Sequence, residues 1–247
     1  MATETKGAAG PAIYAVHPWV PGNAERGIRQ QLLGDDERAL LAKVAQIVRF
    51  NKGEQIYDQG SNADAVFNII SGVAIAYRAL GKSEHVIAFL YPGDLFGLSE
   101  EGHYANATRA ATPVVTYKMP LRAVRRILNN RADVDVDVII KLCEELREAQ
   151  RHAFLLAHNS ATSRLAMFLD LQERLQTLSE DTESEIYIPM DRSTVAAYIG
   201  LTPAAVSRAF RSLISKKIIS SHDLHHVKII DRDAFNSIAD ADNTAGP

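Results

Sequence analysis

The sequence contains a single cysteine, Cys143, among its 247 residues. One thiol cannot form a disulfide framework, and it cannot supply the four cysteines of a structural zinc or iron–sulfur site within one chain. No apolar run approaches the length that a bilayer-spanning helix needs. The first residues include an acid and lack a basic segment followed by an apolar one, so no signal peptide is indicated. We therefore expect a cytoplasmic protein that does not contact a membrane.

The chain also lacks the excess of positive charge that is typical of nucleic-acid binders, because its formal net charge is −3. These charges are unevenly distributed along the chain. Residues 191–217 contain five arginines and lysines against one aspartate, whereas residues 180–185 contain four acidic residues and no basic one. A basic segment in an acidic chain suits a protein that contacts phosphates at one place only.

The basic segment 191–217 has the pattern of two short helices joined by a tight turn. Asp191 is predicted to cap the first helix and Gly200 to end it, because glycine reaches left-handed dihedrals without a Cβ penalty. Thr202 is predicted to cap the second helix, with Pro203 at the first helical position. Val206, Phe210 and Leu213 would be buried. The side chains that would then face outward are those of Ala204, Ala205, Ser207, Arg208 and Arg211. This pattern is typical of a DNA-binding helix-turn-helix, although an ordinary helical hairpin would also fit this segment.

Residues 48–119 contain short β-branched and aromatic runs that are separated by glycines. Short strands with glycine turns predict a small antiparallel sandwich or barrel. The runs are Ile56–Tyr57, Val66–Ile70, Val73–Tyr77, Val86–Leu90 and Val114–Lys118. Before them, residues 1–27 are predicted to be irregular and residues 28–47 helical.

A long helix is predicted over about residues 133–158. Apolar or small residues recur along it at alternating steps of three and four, at Ile139, Leu142, Leu146, Ala149, Ala153 and Leu156. Such a repeat is narrower than the face that a globular core needs, so it favours a symmetric dimer. Packing of this helix on its own barrel is the alternative.

The C-terminal part is predicted to contain a helix over 162–178, a strand over 186–188 and a β-hairpin behind the helix-turn-helix. The hairpin strands are Ile218–Ser220 and Val227–Ile230, with a polar loop between them. A hairpin in this position is the wing of a winged helix. Residues beyond 239 are predicted to be disordered because they are rich in Asp, Asn, Gly and Pro.

Over roughly residues 40–235, this order of elements resembles the CRP/FNR superfamily of bacterial transcription factors. YPGDLFG at 91–97 is similar to the P-G-D-x-F-G turn of the family, and the second motif is DRSTVAAYIGLTPAAVSRAFRSL at 191–213. The run from Leu201 to Arg208 is most similar to the FNR and FixK-type branch. The resemblance implies an α+β chain with an N-terminal antiparallel β-barrel or jelly-roll sensor domain, similar to cyclic-nucleotide-binding domains, over 28–132. A dimerisation helix over 133–159, a winged helix-turn-helix domain over 160–239 and a tail over 240–247 would follow.

The resemblance also implies which residues contact DNA. The recognition helix of the FNR and FixK-type branch usually presents Glu, Ser and Arg to the bases; Ser207 and Arg208 match, whereas Ala204 stands in place of the Glu. Arg208 should bind a guanine bidentately, but an alanine can contact only a thymine methyl group. Arg192, Lys216 and Lys217 are expected on phosphates, with ordinary solvated charge as the alternative. The predicted DNA-binding residues are Arg192, Thr202, Ala204, Ala205, Ser207, Arg208, Arg211, Lys216 and Lys217.

The sensor half departs from the cyclic-nucleotide binders of this fold. Gly97 is followed by Leu98 instead of the ribose-binding Glu, and the expected phosphate position near Tyr104 has no cation. Arg109 lies where the family has a second, structural arginine. We therefore expect no bound cofactor, while a cyclic nucleotide, or a haem held by a residue such as His85, remains the alternative. The candidate effector pocket consists of Gly97, Leu98, Ser99, Glu100, Arg109, Ala149 and Gln150.

The sequence thus predicts a homodimeric, sequence-specific DNA-binding transcriptional regulator that acts on a palindromic operator at the nucleoid. Its expected partners are double-stranded DNA, a second copy of the chain and, if it activates transcription, RNA polymerase. No enzyme activity and no metal site are predicted, because no nucleophile–base pair or metal-ligand spacing stands out.

Alternatives to this prediction remain open. The chain could be a cyclic-nucleotide-binding module that controls an enzyme partner, but such a module would need neither the basic segment nor the wing. A cyclic-AMP- or haem-dependent form of the same regulator is a further alternative. Cys143 is a candidate redox residue, for which an inert buried thiol is the alternative. The iron–sulfur cluster of FNR-type proteins would need several N-terminal cysteines, which this sequence lacks.

Overall fold

The computed structural model describes residues 43–81, 83–99, 102–128, 146, 149–158, 160–177 and 185–239. These residues form two compact units. The first comprises residues 43–74 and 90–128, and the second comprises residues 75–89 and those from 146 onward. The predictions for the N-terminal extension, the helix before residue 43, most of the dimerisation helix and the tail concern residues outside this description. The same holds for Glu100, Ile139, Leu142 and Cys143.

Eight strands are described between residues 46 and 120, and they confirm the predicted antiparallel N-terminal sheet. They are β1 Gln46–Phe50, β2 Gln55–Tyr57, β3 Ala65–Ser71, β4 Ala74–Leu80, β5 Ser83–Leu90, β6 Leu95–Phe96, β7 Ala107–Ala110 and β8 Val114–Pro120. In the first unit, one sheet has the order β1–β8–β3–β6, and β2 pairs with β7, all antiparallel. Helix α1 over Leu121–Leu128 follows directly.

The helix predicted over residues 28–47 is wrong at its C-terminal end. Ile47 lies in β1, opposite Tyr117 of β8, and Val48 lies opposite Thr116. The apolar residues Val44 and Ile47 are three apart, which suggested a helix, but β-branched side chains also favour a strand when a partner is available. Pairing with β8 decides between the two structures.

Aromatic side chains fill the core of the first unit. The rings of Phe67 and Phe96 stack at a centroid distance of 5.4 Å, and those of Tyr57 and Tyr104 stack at 3.8 Å. The turn before β4 requires Gly72, because a Cβ there would lie 2.0 Å from the Pro113 carbonyl oxygen. This close approach joins the end of β3 to the segment before β8.

The second unit contains the remaining helices and a three-stranded sheet. After a helix described over 149–157, here α2, come α3 Ala161–Thr177, β9 Ile186–Tyr187, α4 Arg192–Tyr198, α5 Pro203–Ser215, β10 Ile219–Ser220, β11 His226–Ile229 and α6 Arg232–Ala239. The strand order is β10–β11–β9. Among the described residues, no helix is both long and apolar enough to cross a membrane.

Helix α6 is an element that the sequence analysis missed. Asp231 caps it by accepting a hydrogen bond from the Ala234 amide at 3.0 Å, and the Phe235 side chain is fully buried. Arg232 forms a bidentate ion pair with Glu173 of α3. With only eight residues and a single buried aromatic side chain, the helix gives little periodic signal in the sequence.

Arg164 of α3 holds three segments of the second unit together. Its Nε donates to the His158 carbonyl at 2.6 Å, and its Nη1 donates to the carbonyls of Ile199 and Gly200, each at 3.2 Å. His158 directly follows α2, and Gly200 forms the turn between α4 and α5 with φ of 65°. One guanidinium therefore fixes the turn relative to α2 and α3.

We expect Arg164→Lys to destabilise the second unit. One ammonium cannot reproduce the planar fork that reaches all three carbonyls, so the free energy of unfolding should fall by about 2 kcal/mol. Thermal unfolding followed by circular dichroism measures this loss. The control is Arg174→Lys on the same helix, where an exposed pair with Asp170 should change stability by less than about 0.5 kcal/mol. Equal melting temperatures for the two variants would contradict the role of Arg164.

Candidate nucleic-acid interface

The structure confirms both predicted helix starts and the glycine turn of the helix-turn-helix. The Asp191 carboxylate accepts from the Thr194 amide at 2.8 Å and from the Ser193 hydroxyl at 2.7 Å. The Thr202 hydroxyl oxygen accepts from the Ala205 amide at 3.2 Å, and Pro203 occupies the first turn of α5. These caps satisfy amides that have no partner within the helix, so the two helices start where the sequence indicates.

Helix α5 has one buried face and one exposed face. Val206, Phe210 and Leu213 are buried in the second unit, as predicted, and Ala209 joins them. Ala205 is half-buried, whereas the side chains on the open face are Ala204, Ser207, Arg208 and Arg211. The open face is therefore small at its N-terminal end and cationic towards its middle.

The polar side chains on this face differ in how they are held. The Ser207 hydroxyl donates to the Pro203 carbonyl at 2.9 Å, and Arg211 Nε donates to the Ser207 carbonyl at 3.4 Å. Within the described parts of the chain, no hydrogen bond or ion pair engages the exposed Arg208 guanidinium. The five N–H donors of Arg208 thus point to solvent and can meet a planar acceptor pair.

Lys216 and Lys217 lie at the C-terminal end of α5, where both are exposed. Lys217 has φ of 58°, and its amide donates to the Ile214 carbonyl, while the Ile218 amide donates to the Leu213 carbonyl. This pair of bonds is a Schellman motif, which usually has glycine in the left-handed position. The motif directs the chain away from the helix and leaves both ammonium groups in solvent.

Arg192, predicted to contact phosphate, lies instead against the recognition helix. Its guanidinium carbon is 3.4 Å from the centre of the Phe210 ring, and its Nη1 is buried. Burial lowers the pKa of Arg192 to about 10, although the nearby Asp223 carboxylate opposes this shift. Local sequence patterns do not indicate this contact, because Phe210 is 18 positions away and its spacing predicts only a core residue.

The wing is confirmed as β10 and β11 with a tight loop over 221–225. Asp223 Oδ1 accepts from the amides of His225 and His226, each at 2.7 Å, and Asp223 Oδ2 accepts from His226 Nδ1 at 2.7 Å. These hydrogen bonds, that from the His226 ring above all, hold the pKa of Asp223 well below its usual range. The wing loop is thus organised around one carboxylate.

Of the predicted effector residues in the first unit, the structure describes Gly97, Leu98, Ser99 and Arg109. Leu98 is exposed, the Ser99 hydroxyl donates to the His103 carbonyl at 2.6 Å, and Arg109 lies in β7 opposite Gln55. Gly97 has φ of 88°, and a Cβ there would lie 3.1 Å from the Ala65 carbonyl oxygen. Ala149 and Gln150 belong to the second unit, where both are exposed.

Tyr104, near the expected phosphate position, is buried in the aromatic core. Its hydroxyl donates to the Ala65 carbonyl at 2.8 Å and accepts from the Ala65 amide at 3.3 Å. Burial raises the pKa of Tyr104 and raises the pKa of Tyr57 to about 12, so both phenols are neutral at physiological pH. A neutral, hydrogen-bonded phenol offers no counter-charge for a phosphate.

The described residues of the predicted dimer seam lie on an exposed face of α2 or, for Leu146, just before it. Leu146 and Leu156 are 60% and 38% exposed, and Ala149 and Ala153 are also exposed. Leu155, by contrast, is buried, and the His152 ring stacks on Tyr198 at 4.1 Å. The helix therefore has one face packed within the second unit and a separate apolar row that is exposed among the described residues.

We expect Arg192→Ala to lower the free energy of unfolding by about 1–2 kcal/mol, because it removes a desolvated cation–π contact and exposes Phe210. Chemical denaturation with circular dichroism measures the change. Arg208→Ala is the matched control and should unfold like the wild type, because its side chain is exposed. If both variants were as stable as the wild type, the packing role of Arg192 would be wrong.

Two family models match the sequence. The Crp-like helix-turn-helix domain matches residues 163–238, and the cyclic nucleotide-binding domain matches residues 47–131. The helix-turn-helix match contains α4, α5 and the wing, and the other match contains β2 to β8 and all of β1 except Gln46.

Curated relatives match over most of the chain. The transcriptional activatory protein AadR of Rhodopseudomonas palustris is 29% identical over 211 residues, which are 85% of this chain and 87% of that protein. The nitrogen fixation regulation protein FixK of Azorhizobium caulinodans is 29% identical over 241 residues, 92% of this chain and 94% of that protein. The structure of FixK2 from Bradyrhizobium japonicum aligns with a TM-score of 0.72 at 25% identity, covering 79% of this chain and 97% of that one. Over most of its length, the chain is therefore similar to transcriptional regulators of the CRP/FNR family.

Proposed function

We propose that two copies of this chain bind a two-fold symmetric DNA site and regulate transcription from it. Each copy inserts α5 into the major groove, and the two helices lie about 34 Å apart, one turn of DNA. The observation that carries this proposal is the open face of α5, on which Ser207 and the unengaged Arg208 lie beside the small Ala204. The proposed DNA contact uses this helix face and needs neither a sheet edge nor a closed pocket.

Arg208 supplies the main sequence-reading contact in this proposal. Its planar fork matches the O6 and N7 acceptors of guanine, and the Ser207 hydroxyl oxygen, whose hydrogen is donated to the Pro203 carbonyl, can accept from a base amino group. Ala204 removes the acceptor that a Glu would direct at cytosine, so the half-site differs at that base pair from the usual one of the FNR and FixK-type branch. The exposed methyl group of Ala204 favours thymine there.

Phosphate contacts come from the ends of the helices and from exposed cations. Lys216 and Lys217 are exposed at the end of α5, and Arg211 is exposed on its open face. Arg192 is assigned to packing under α5, since its guanidinium lies over Phe210. Phosphate contacts of this kind fix the register on DNA without reading sequence.

A second copy of the chain covers the apolar row on α2 in this proposal. Leu146, Ala149, Ala153 and Leu156 follow the three-and-four spacing of a helix–helix seam, and the exposure of both leucines favours a partner there. Ile139 and Leu142 extend the same spacing toward the N-terminus of the predicted helix. A two-fold axis along this seam makes the operator palindromic.

We further propose that the regulator works at the nucleoid without a cyclic nucleotide or haem, and contacts RNA polymerase where it activates. The buried aromatic core around Tyr104 supports the proposed absence of a cyclic nucleotide, because a phosphodiester buried there would lack a charged partner. An effector of another kind could act only by binding one dimer arrangement better than another.

Arg208→Ala should lower the affinity for selected duplexes by about 5- to 150-fold. Selected duplexes are those that the wild-type chain enriches from a random library. Binding to unselected duplex should be almost unchanged, because the loss concerns a base contact. Lys216→Ala should instead weaken both by a similar factor and reduce the slope of log affinity against log salt by about 1. Fluorescence anisotropy at several salt concentrations measures the affinity for enriched duplex, the affinity for unselected duplex and the salt slope.

The control for charge removal is Arg174→Ala, which lies on α3 outside the open face of α5. It should bind both kinds of duplex like the wild type. Absence of any enriched duplex, together with tight cyclic-nucleotide binding, would favour the alternative of a module that regulates an enzyme.

Cyclic AMP or cyclic GMP should not change the melting temperature of the chain or its affinity for enriched duplex. A nucleotide present at 100 times its dissociation constant would stabilise the folded state by about 2.7 kcal/mol, which a thermal scan detects readily. A rise of several degrees with either nucleotide would contradict the proposed lack of a cyclic-nucleotide site.

A further inference from the structure

The wing loop brings together three side chains that can each bind a metal ion. His222, Asp223 and His226 offer ring-nitrogen and carboxylate-oxygen atoms that all lie within 4.8 Å of one another. The two imidazole rings stack with a centroid distance of 5.1 Å and an interplanar angle of 12°. We call these three residues the wing cluster. No metal site is predicted from the sequence here, because H-D-L-H-H lacks any common metal-ligand spacing.

The ligand atoms of the wing cluster lie near one another, although not at the separations found around a four-coordinate transition metal. Zinc binds nitrogen and oxygen ligands at about 2.0–2.2 Å, so two tetrahedral ligands lie about 3.4 Å apart. His222 Nε2 lies 3.6 Å from Asp223 Oδ2, and His226 Nδ1 lies 2.7 Å from the same oxygen. One ion between these atoms therefore requires side-chain rotations that move His226 Nδ1 away from Asp223 Oδ2.

We propose that the wing cluster binds one divalent transition-metal ion of the zinc class. His222 supplies Nε2, Asp223 supplies a carboxylate oxygen, and His226 supplies Nδ1 after the proton that it shares with Asp223 Oδ2 is released to solvent. Two imidazoles and one carboxylate suit zinc, cobalt or nickel better than magnesium or calcium, which prefer oxygen ligands alone. His222 is 63% exposed, so solvent completes the coordination.

Glu185 gives the wing cluster a positioning residue. Its Oε2 lies 3.7 Å from His222 Nδ1, the ring nitrogen opposite the one that faces Asp223. A metal-bound histidine commonly donates its other N–H to a carboxylate, which orients the ring and increases its basicity. Glu185 is just before β9, so the ion would connect the wing loop to the strand at the edge of the three-stranded sheet.

The charges around the wing cluster are compatible with a divalent ion. Asp223 and Glu185 together supply two negative charges, which balance the ion. Arg192 is close enough to Asp223 for their charges to interact, and it opposes cation binding. Its guanidinium, however, is directed over the Phe210 ring, so Asp223 Oδ2 faces the two histidines instead.

Isothermal calorimetry of the full chain without a polyhistidine tag, titrated with zinc chloride, tests this site. We expect one high-affinity ion per chain, a higher melting temperature with zinc, and no comparable binding of magnesium. Cobalt(II) in place of zinc should give the visible absorption of a low-coordinate nitrogen–oxygen site. None of these measurements depends on DNA, so the proposed function can fail while this site stands.

His222→Ala should abolish the high-affinity binding and leave the metal-free melting temperature unchanged, because that side chain is largely exposed. Asp223→Asn is a second ligand variant, since its amide oxygen can still accept the amides of His225 and His226 and keep the loop folded. Glu185→Gln should weaken zinc binding by about tenfold. His85→Ala, an exposed histidine of β5, is the matched control and should bind zinc like the wild type.

Zinc binding that is equal in the wild type, His222→Ala and Asp223→Asn would place the ion elsewhere and overturn the proposal. So would the absence of binding heat and of any thermal shift at millimolar zinc. Loss of binding in both ligand variants, with the control intact, supports it.

Discussion

The DNA-binding half of this protein depends on one guanidinium. Arg164 donates to the carbonyl that follows α2 and to the two carbonyls at the turn between α4 and α5. Helix ends leave carbonyls without partners, and a planar cation with several donors can satisfy those of two helices at once. Because the turn is fixed in this way and Gly200 takes the left-handed conformation it needs, the direction in which α5 leaves the turn is also fixed. These contacts therefore also determine the orientation of the open face of α5.

The same residue type serves opposite purposes within 16 positions of this segment. Arg192 lies over Phe210 and stabilises the contact between α4 and α5, whereas Arg208 projects from the next helix into solvent. Arginine suits both positions, since its weakly hydrated plane stacks on an aromatic ring and its fork binds paired acceptors. Formal charge in the segment therefore overstates the number of cations that can reach DNA. Lys216 and Lys217 are exposed at the end of α5 and remain able to reach DNA. Lys217 adopts the left-handed conformation that glycine usually occupies.

Local rules predicted the helix-turn-helix well, because capping residues, a turn glycine and an apolar spacing all act within a few residues. Asp191, Gly200 and Thr202 behave as the sequence indicated. Prediction failed where distant partners decide: Ile47 pairs with β8, Arg192 meets Phe210, and α6 forms around Phe235. The wing cluster was missed for a related reason, since a tight loop brings together donors whose spacing resembles no common metal motif. The DNA contacts, the dimer and the effector site remain predictions that side-chain positions support to different degrees.

We propose that the open face of α5 reads DNA as one half of a symmetric pair. It is tested most directly by sequencing the duplexes that the purified chain enriches from a random library. We expect an inverted repeat whose half-sites are centred about 10 base pairs apart, each with a guanine at a fixed position. A single motif without inverted symmetry, or a bound pool with no common sequence, would contradict it.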